Sequence, residues 1–504
     1  MVLYHAQAYL IDLINNINIR EWSRLRRQGE RSMETEDRRE IIIVGLGASG
    51  LYASKAALNT DRKCHVTIIE RRDYDQFSPC TLPFVLEGVV PDFESIKYQV
   101  PEVKGRLDKL LSHEVIAVDS TEKTVTARDL ISGKEKVIGY DSLILANGAS
   151  PITLPVPGAR ELSGKGVHFV SDPENTARLM DAAKGSRMKR SVVVGGGAIG
   201  LEVAVALHEM GHEVVITKRT EPPLPRNLDP QMGKYIVERL ESLGIRCTFG
   251  KGIDSINGGD RVESVTIAGE TIPCDIVVMA VGMRANTSLA EMAGCRILNG
   301  LVLVDSRMRT SVPDVYAIGD LVMTYSRIDR TAATMQLATS AFREGMAAGT
   351  NAAGGSTRYP GALNTFLTVI NGLEIAATGY NLKKAQELGY DAAAISTKGE
   401  IKPHYMPGST EIHLRVVVEK DSGRILGAQA IGEKGAAWRI NIFALAIHGG
   451  MTLYDLLDAE LAYNPPVSQM YDPVIRLAEI GLKRLRLPPG ECGDPFFPDG
   501  TGDA

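Results

Sequence analysis

The sequence predicts an α/β architecture made of two copies of a strand–turn–helix module and closed by a smaller α+β domain. Three observations predict it. The apolar run Ile41-Ile42-Ile43-Val44 leads into Gly45-Leu46-Gly47-Ala48-Ser49-Gly50. A second run, Ser191 to Val194, leads into Gly195-Gly196-Gly197-Ala198-Ile199-Gly200. From about Tyr359 the pattern changes to β-rich segments, Ile412 to Val418 and Ile425 to Ile431, followed by an apolar helix over Ile440 to His448. A chain of 504 residues exceeds one ordinary core, and typical domain sizes give roughly three domains.

Composition narrows the function. Hydrophobic residues at 44% and charged residues at 23% are the proportions of a globular chain that buries large cores. A net charge of -5 with no basic stripe speaks against nucleic acid as a partner. No apolar run approaches the roughly 18 residues of a membrane span. The six cysteines, Cys64, Cys80, Cys247, Cys274, Cys295 and Cys492, show no CxxC or Cys/His spacing. That scatter excludes a disulfide framework and structural zinc, predicts a cytoplasmic protein without metal, and leaves solitary, catalytic thiol chemistry. Residues 1–39 read as an extension: helically spaced apolar positions, then a charge-crowded stretch from Arg24 to Glu40, with Met33 as a second candidate start.

In the first module the glycines allow a tight turn and bring a pyrophosphate to the helix N-terminus, with Ala48 and Ser49 inside the turn. The next strand, His65 to Ile69, ends in Glu70, twenty residues past Gly50, where an acid accepts hydrogen bonds from a ribose; Arg71 follows it. The second module begins 150 residues later, and its following strand, Glu213 to Thr217, ends in Lys218-Arg219. An acid suits a free 2′-hydroxyl and a cationic pair suits a 2′-phosphate. The first module therefore reads as an FAD site and the second as an NADPH site, with NADH open.

The chemistry is expected at Ser78-Pro79-Cys80-Thr81-Leu82-Pro83-Phe84-Val85-Leu86-Glu87-Gly88. Ser78 reads as an N-cap, Pro79 as the first helical residue and Gly88 as the terminator, which puts Cys80 at N2. There the helix dipole favours the thiolate. The other cysteines read as structural.

Further stretches carry a family resemblance. Ala146-Asn147-Gly148-Ala149-Ser150-Pro151 resembles an ATGxxP turn with Asn147 for Thr, and Ala280-Val281-Gly282-Met283-Arg284-Ala285-Asn286 resembles its second copy. Tyr316-Ala317-Ile318-Gly319-Asp320 is similar to a segment whose aspartate binds the flavin ribitol. Together these resemble the FAD/NAD(P)-dependent pyridine nucleotide-disulfide oxidoreductases over about residues 40–485. The resemblance implies two Rossmann-like dinucleotide-binding domains, for FAD and NAD(P), and an α+β dimerisation domain. It implies boundaries of 40–155 with 285–358 for the FAD domain, 156–284 for the NAD(P) domain, 359–486 for dimerisation and 487–504 for a flexible tail. Gly45, Gly47, Ala48, Ser49, Gly50, Glu70, Arg71, Ala146, Gly148, Gly319 and Asp320 fall in the FAD set. Gly195, Gly197, Ile199, Gly200, Glu202, Lys218, Arg219 and Gly282 fall in the NAD(P) set, with Glu202 near the nicotinamide.

The lone Cys80 resembles the single-cysteine branch, which contains NADH peroxidases, NADH oxidases and coenzyme A disulfide or persulfide reductases. Peroxidase and oxidase members carry a histidine where this chain has Ala48. His404-Tyr405-Met406-Pro407-Gly408 and Ala462-Tyr463-Asn464-Pro465-Pro466 resemble segments of the coenzyme A reductases, whereas Pro79, Thr81 and Phe84 depart from their pattern. The resemblance implies a homodimer in which Tyr405 and Tyr463 serve the opposite subunit's Cys80. It further implies electron flow from NAD(P)H through FAD and Cys80 to a low-molecular-weight disulfide, persulfide or polysulfide, coenzyme A disulfide first. The alternatives are an NAD(P)H oxidase and an electron-transfer subunit with a protein acceptor.

Overall fold

A computed structural model describes residues 38–488. Its first parallel sheet has the strand order Val315–Ala317, Ser142–Leu145, Glu40–Val44, His65–Ile69, Leu107–Leu110. Ile41, Ile42, Ile43 and Val44 are all buried, because helices and loops cover both faces, so the strand reads as a continuous apolar run. Strand Val315–Ala317 joins this sheet after the chain has completed the second one, whose order is Val167–His168, Ile276–Met279, Arg190–Val194, Glu213–Lys218, Arg246–Phe249. Both second strands, His65–Ile69 and Glu213–Lys218, lie where the sequence puts them.

Small residues set the packing of helix Ala48–Thr60 on helix Ala338–Ala352. A Cβ at Gly345 would stand 2.3 Å from the Ser49 carbonyl oxygen and one at Gly349 2.0 Å from that of Ala53. The third sheet is antiparallel, in the order Phe366–Ile370, Leu373–Gly379, Ile425–Gly432, Glu411–Glu419, Ala392–Glu400. Ile395, Leu414, Phe443 and Leu477 form its core with helices Ile440–Gly449 and Pro473–Leu485. The chain is α/β with two parallel-sheet modules and an α+β third part, as the sequence predicts.

One core joins the parts around the cysteine. Leu82, Val85 and Leu86 of helix Leu82–Glu87 cluster with Leu201 and Val205 of helix Ala198–Glu209 and with Ile375 of the third sheet. Burying a side chain of this size stabilises by about 1.5–3 kcal/mol, so the segment carrying Cys80 is fixed against the helix carrying Glu202. Among the described residues no helix is long and apolar enough to cross a membrane, and no group of three or more His, Cys, Asp or Glu could hold a metal ion. The readings of residues 1–37, of the tail from residue 489 and of Cys492 lie outside the described residues.

Candidate active site

Both glycine turns are cradles that side chains would fill. Gly45 has φ +101°, and a Cβ there would lie 2.5 Å from the Ala146 carbonyl oxygen; at Gly50 it would lie 2.1 Å from that of Gly45. In the second turn, Gly195 (φ +133°) and Gly200 are excluded from carrying a Cβ by the carbonyls of Ala280 and Gly195, each 2.1 Å away. Gly47 and Gly197, the N-caps of the two helices, face open space on the side where a pyrophosphate would meet the free N–H groups. Asn147, where the resembled turn has Thr, donates to the Asn286 carbonyl at 2.8 Å, and Asn286 donates back to the Asn147 carbonyl at 2.9 Å. This reciprocal pair ties the two crossover turns together beside the paired strands Ala149–Pro151 and Met283–Ala285.

Glu70 is buried and engaged differently from expectation. Its carboxylate accepts from Leu46 N–H (2.7 Å), Arg72 N–H (3.1 Å), Arg72 Nε (2.9 Å) and Arg72 Nη2 (2.8 Å). These donors outweigh the desolvation that raises the pKa and hold it below the usual carboxylate range. Four donors occupy about as many acceptor positions as a carboxylate offers. Arg71 is exposed beside this pair. Arg72, which the sequence reading passed over, also reaches the Leu46 carbonyl in the glycine turn at 3.2 Å.

Asp320 sits in the 3₁₀ turn Gly319–Leu321, and among the described residues its carboxylate accepts no hydrogen bond. Burial pushes its carboxyl up, the condition of an acceptor awaiting hydroxyl donors. Behind it Gly319 N–H donates to Glu344 Oε2 at 2.8 Å, and Glu344 is pushed up to about 8 by burial, with Asp320 contributing. Glu344 is 1% exposed. A lone acid among the small residues of Ala338–Ala352 was the available signal for it.

Cys80 occupies the middle of a 3₁₀ turn, Pro79–Thr81, not the N2 position of an α-helix. Ser78 makes no cap; its Oγ accepts from Thr81 Oγ1 at 2.8 Å. Cys80 is exposed, yet the surrounding protein desolvates its thiol, and the charges of Glu202 and Asp320 act on it as well. Its pKa is raised, opposite to the helix-dipole expectation: the six-residue helix Leu82–Glu87 starts after it, and the nearby charges are negative. Cys64, Cys274 and Cys295 are buried and Cys247 half-buried, each with a raised pKa dominated by desolvation.

Glu202 lies beyond the first turn of helix Ala198–Glu209, too far in for the dipole to account for it. Burial pushes it up to about 7, against the opposing hydrogen bond from Thr368 Oγ1 on strand Phe366–Ile370. Lys218 ends its strand with Nζ turned onto Thr220 and the Pro222 carbonyl (3.3 Å), and its stem lies over the second glycine turn, 3.0 Å from where a Gly196 Cβ would stand. Arg219 is exposed, and Arg226, which the sequence reading did not select, is close enough to lower the Lys218 pKa after desolvation. Ile199 is 40% exposed at the helix start.

Tyr405 and Tyr463 are 64% and 44% exposed and meet each other, Tyr405 adding a hydrogen bond and its charge to the slight desolvation that raises the Tyr463 phenol. Among the described residues neither contacts Cys80 within the chain. One guanidinium anchors both of their loops: Arg439 Nη2 donates to the Ile401 carbonyl and to Asp472 Oδ2, each at 2.8 Å. Trp438, Leu445, Val467 and Met470 expose a large apolar surface on the same third part.

The Pyridine nucleotide-disulphide oxidoreductase family model matches residues 39–345, and its dimerisation-domain model matches residues 365–474. The chain belongs to this family. An "NADH oxidase" of Methanocaldococcus jannaschii is 33% identical over 447 residues, 88% of this chain and 99% of that protein. An "NAD(P)H sulfur oxidoreductase (CoA-dependent)" of Pyrococcus abyssi is 33% identical, covering 88% of this chain and 98% of that one. The structure of an NAD-dependent persulfide reductase from A. fulgidus superposes with a TM-score of 0.83 at 30% identity, over 88% of this chain and 83% of that chain. Family membership makes the chain an FAD-dependent NAD(P)H oxidoreductase, and the two open glycine turns with the unpartnered Asp320 carboxylate fit those cofactors.

Proposed function

We propose that this flavoprotein reduces a low-molecular-weight sulfur–sulfur bond, a persulfide, polysulfide or coenzyme A disulfide, with Cys80 as the thiol that meets the substrate. The observation that carries this reading is one exposed thiol on a segment packed against the Glu202 helix of the second module, within electrostatic reach of Glu202 and of Asp320 of the first. The first module's open turn and Asp320 would hold FAD; the second turn, Glu202, Lys218 and Arg219 would hold NAD(P)H. Bound together, these cofactors supply an electron pair at the thiol.

Cys80, deprotonated, attacks one sulfur of the substrate and expels the other half as a thiolate, leaving a mixed disulfide at Cys80; the electron pair then frees the bound half and restores the thiolate. Burial, and after it the charges of Glu202 and Asp320, raise the Cys80 pKa, so the thiol needs a cationic or hydrogen-bonding neighbour at the moment of attack. Tyr405 and Tyr463 answer that need across a homodimer, where each chain's exposed tyrosine pair faces the other chain's Cys80 and donates to the leaving sulfur. The domain limits 40–155 with 285–358, 156–284 and 359–486, and a reducing cytoplasmic setting, complete this reading.

A second reading, an NAD(P)H oxidase, is favoured by the name of the M. jannaschii relative; Ala48 in the first turn, which has no proton to give, counts against it. Anaerobic NAD(P)H oxidation by the FAD-loaded protein separates the two. Acceleration by polysulfide or coenzyme A disulfide supports the reductase. Turnover only when oxygen is admitted supports the oxidase.

A further inference from the structure

Away from both cofactor cradles, a cavity of about 340 Å³ opens where the turn 326–331 meets the end of helix Ile440–Gly449. Arg327, Arg330, Arg424 and His448 line it, over an apolar wall that includes Ile328 and Ile425. Its volume is in the range of small-molecule sites.

The charges in it do not cancel. Arg424 is answered by Glu419, which accepts from its Nε and Nη2 at 2.9 Å each. Asp329, in the same turn, accepts from Thr331 Oγ1 (2.7 Å), Tyr380 (2.9 Å) and Tyr390 (3.2 Å) hydroxyls. Among the described residues, Arg327 and Arg330 have no carboxylate within ion-pair distance. Their side chains donate to backbone carbonyls, of His448 and Pro360, at 3.5 Å each, and Arg330 also lies 4.9 Å over the Tyr325 ring. His448 feels the excess: after desolvation, Arg327 and Arg343 lower its pKa. Arg330 is moreover held at φ +65°, a conformation costly for a side-chain-bearing residue. Such strain persists where the surrounding structure imposes it, and it gathers at ligand sites.

We infer that this cavity binds a small phosphate-bearing anion, its phosphate held between the guanidinium groups of Arg327 and Arg330. Guanidinium forks match the oxygens of a phosphate two at a time, and two unpaired forks match a dianion. The apolar wall gives room for an organic group on the phosphate. The site is separate from the redox centre and does not depend on which sulfur compound is reduced.

The test uses the FAD-loaded protein with saturating NADP⁺ occupying the second cradle, titrated calorimetrically with inorganic phosphate and with AMP. Wild type is expected to bind at least one of them, tighter binding of AMP identifying a phosphate ester and binding of phosphate alone a free anion. Arg327→Gln with Arg330→Gln should weaken that binding at least about tenfold and leave NAD(P)H oxidation unchanged. Arg330→Gly guards against misfolding: it relieves the backbone strain, so it should hold or raise the Tm while weakening binding. Wild type that binds neither probe, or variants that bind as tightly as wild type, overturn the proposal.

Discussion

Thr368 donates its hydroxyl hydrogen to the Glu202 carboxylate, joining the first strand of the third sheet to the helix of the second glycine turn. Burial outweighs this bond and leaves Glu202 pushed up to about 7, so near neutral pH this carboxyl stands between its neutral and charged forms. Wild type should show a transition near pH 7 in kcat/KM for NAD(P)H, with the carboxylate present above it. Thr368→Val removes a charge-assisted bond worth about 1.5–3 kcal/mol and should move the midpoint up by about one pH unit or more. Glu202→Gln should remove the transition. A pH profile that ignores both substitutions contradicts this assignment.

Glu344 gives a stability test. Its folded pKa, about 8, is raised above the ordinary 4.5 of an unfolded glutamate. Its stabilising contribution is therefore full below pH 4.5 and is lost as pH rises through 8, the unfolded chain releasing its proton first. Glu344→Gln keeps an acceptor for Gly319 N–H and removes the titration. The Tm difference, variant minus wild type, should grow between pH 5 and pH 8.5; a difference independent of pH contradicts the buried, raised carboxyl.

Arg439 should act on sulfur chemistry through the tyrosine loops. Lysine keeps the charge and loses the fork that holds both Ile401 and Asp472. Arg439→Lys is expected to lower kcat/KM for the sulfur substrate about tenfold or more while the KM for NAD(P)H stays put. Equal losses for both substrates would reduce Arg439 to a general structural role.

Coenzyme choice rests on Lys218, Arg219 and Arg226. If they meet a 2′-phosphate, NADPH should have a KM at least about tenfold below that of NADH, a difference of about 1.4 kcal/mol. Lys218→Glu with Arg219→Met should erase that preference at low ionic strength. Exposed cations pointing into solvent contribute little, so a wild type that prefers NADH contradicts the NADPH assignment.

What the sequence disclosed follows from what is local in it. The two glycine turns were legible because Gly50 and Gly200 answer to the carbonyls of Gly45 and Gly195 within the same turn, and apolar runs such as Ile41 to Val44 announce a doubly covered sheet. The ionisation of the site was not legible. Cys80 looked like a thiolate at a helix start because Ser78, Pro79 and Gly88 obey local capping rules. Its pKa is raised instead by burial first and then by Glu202 and Asp320, which reach it from more than a hundred residues away. Glu70 was legible as an acid at a strand end, but its pairing with its near neighbour Arg72 was not. Thr368, Glu344 and Arg439 act across the fold, and no spacing rule connects them to their partners.

The most direct measurement of the central claim is anaerobic sulfur-substrate reduction by Cys80→Ser alongside its flavin spectrum. If Cys80 is the reacting thiol, as proposed, no flavin-cradle residue depends on it, so the variant should bind FAD at wild-type stoichiometry and accept electrons from NAD(P)H. It should nevertheless lose sulfur-substrate turnover by several orders of magnitude. Sulfur reduction at the wild-type rate by the serine variant would contradict Cys80 as the reacting thiol.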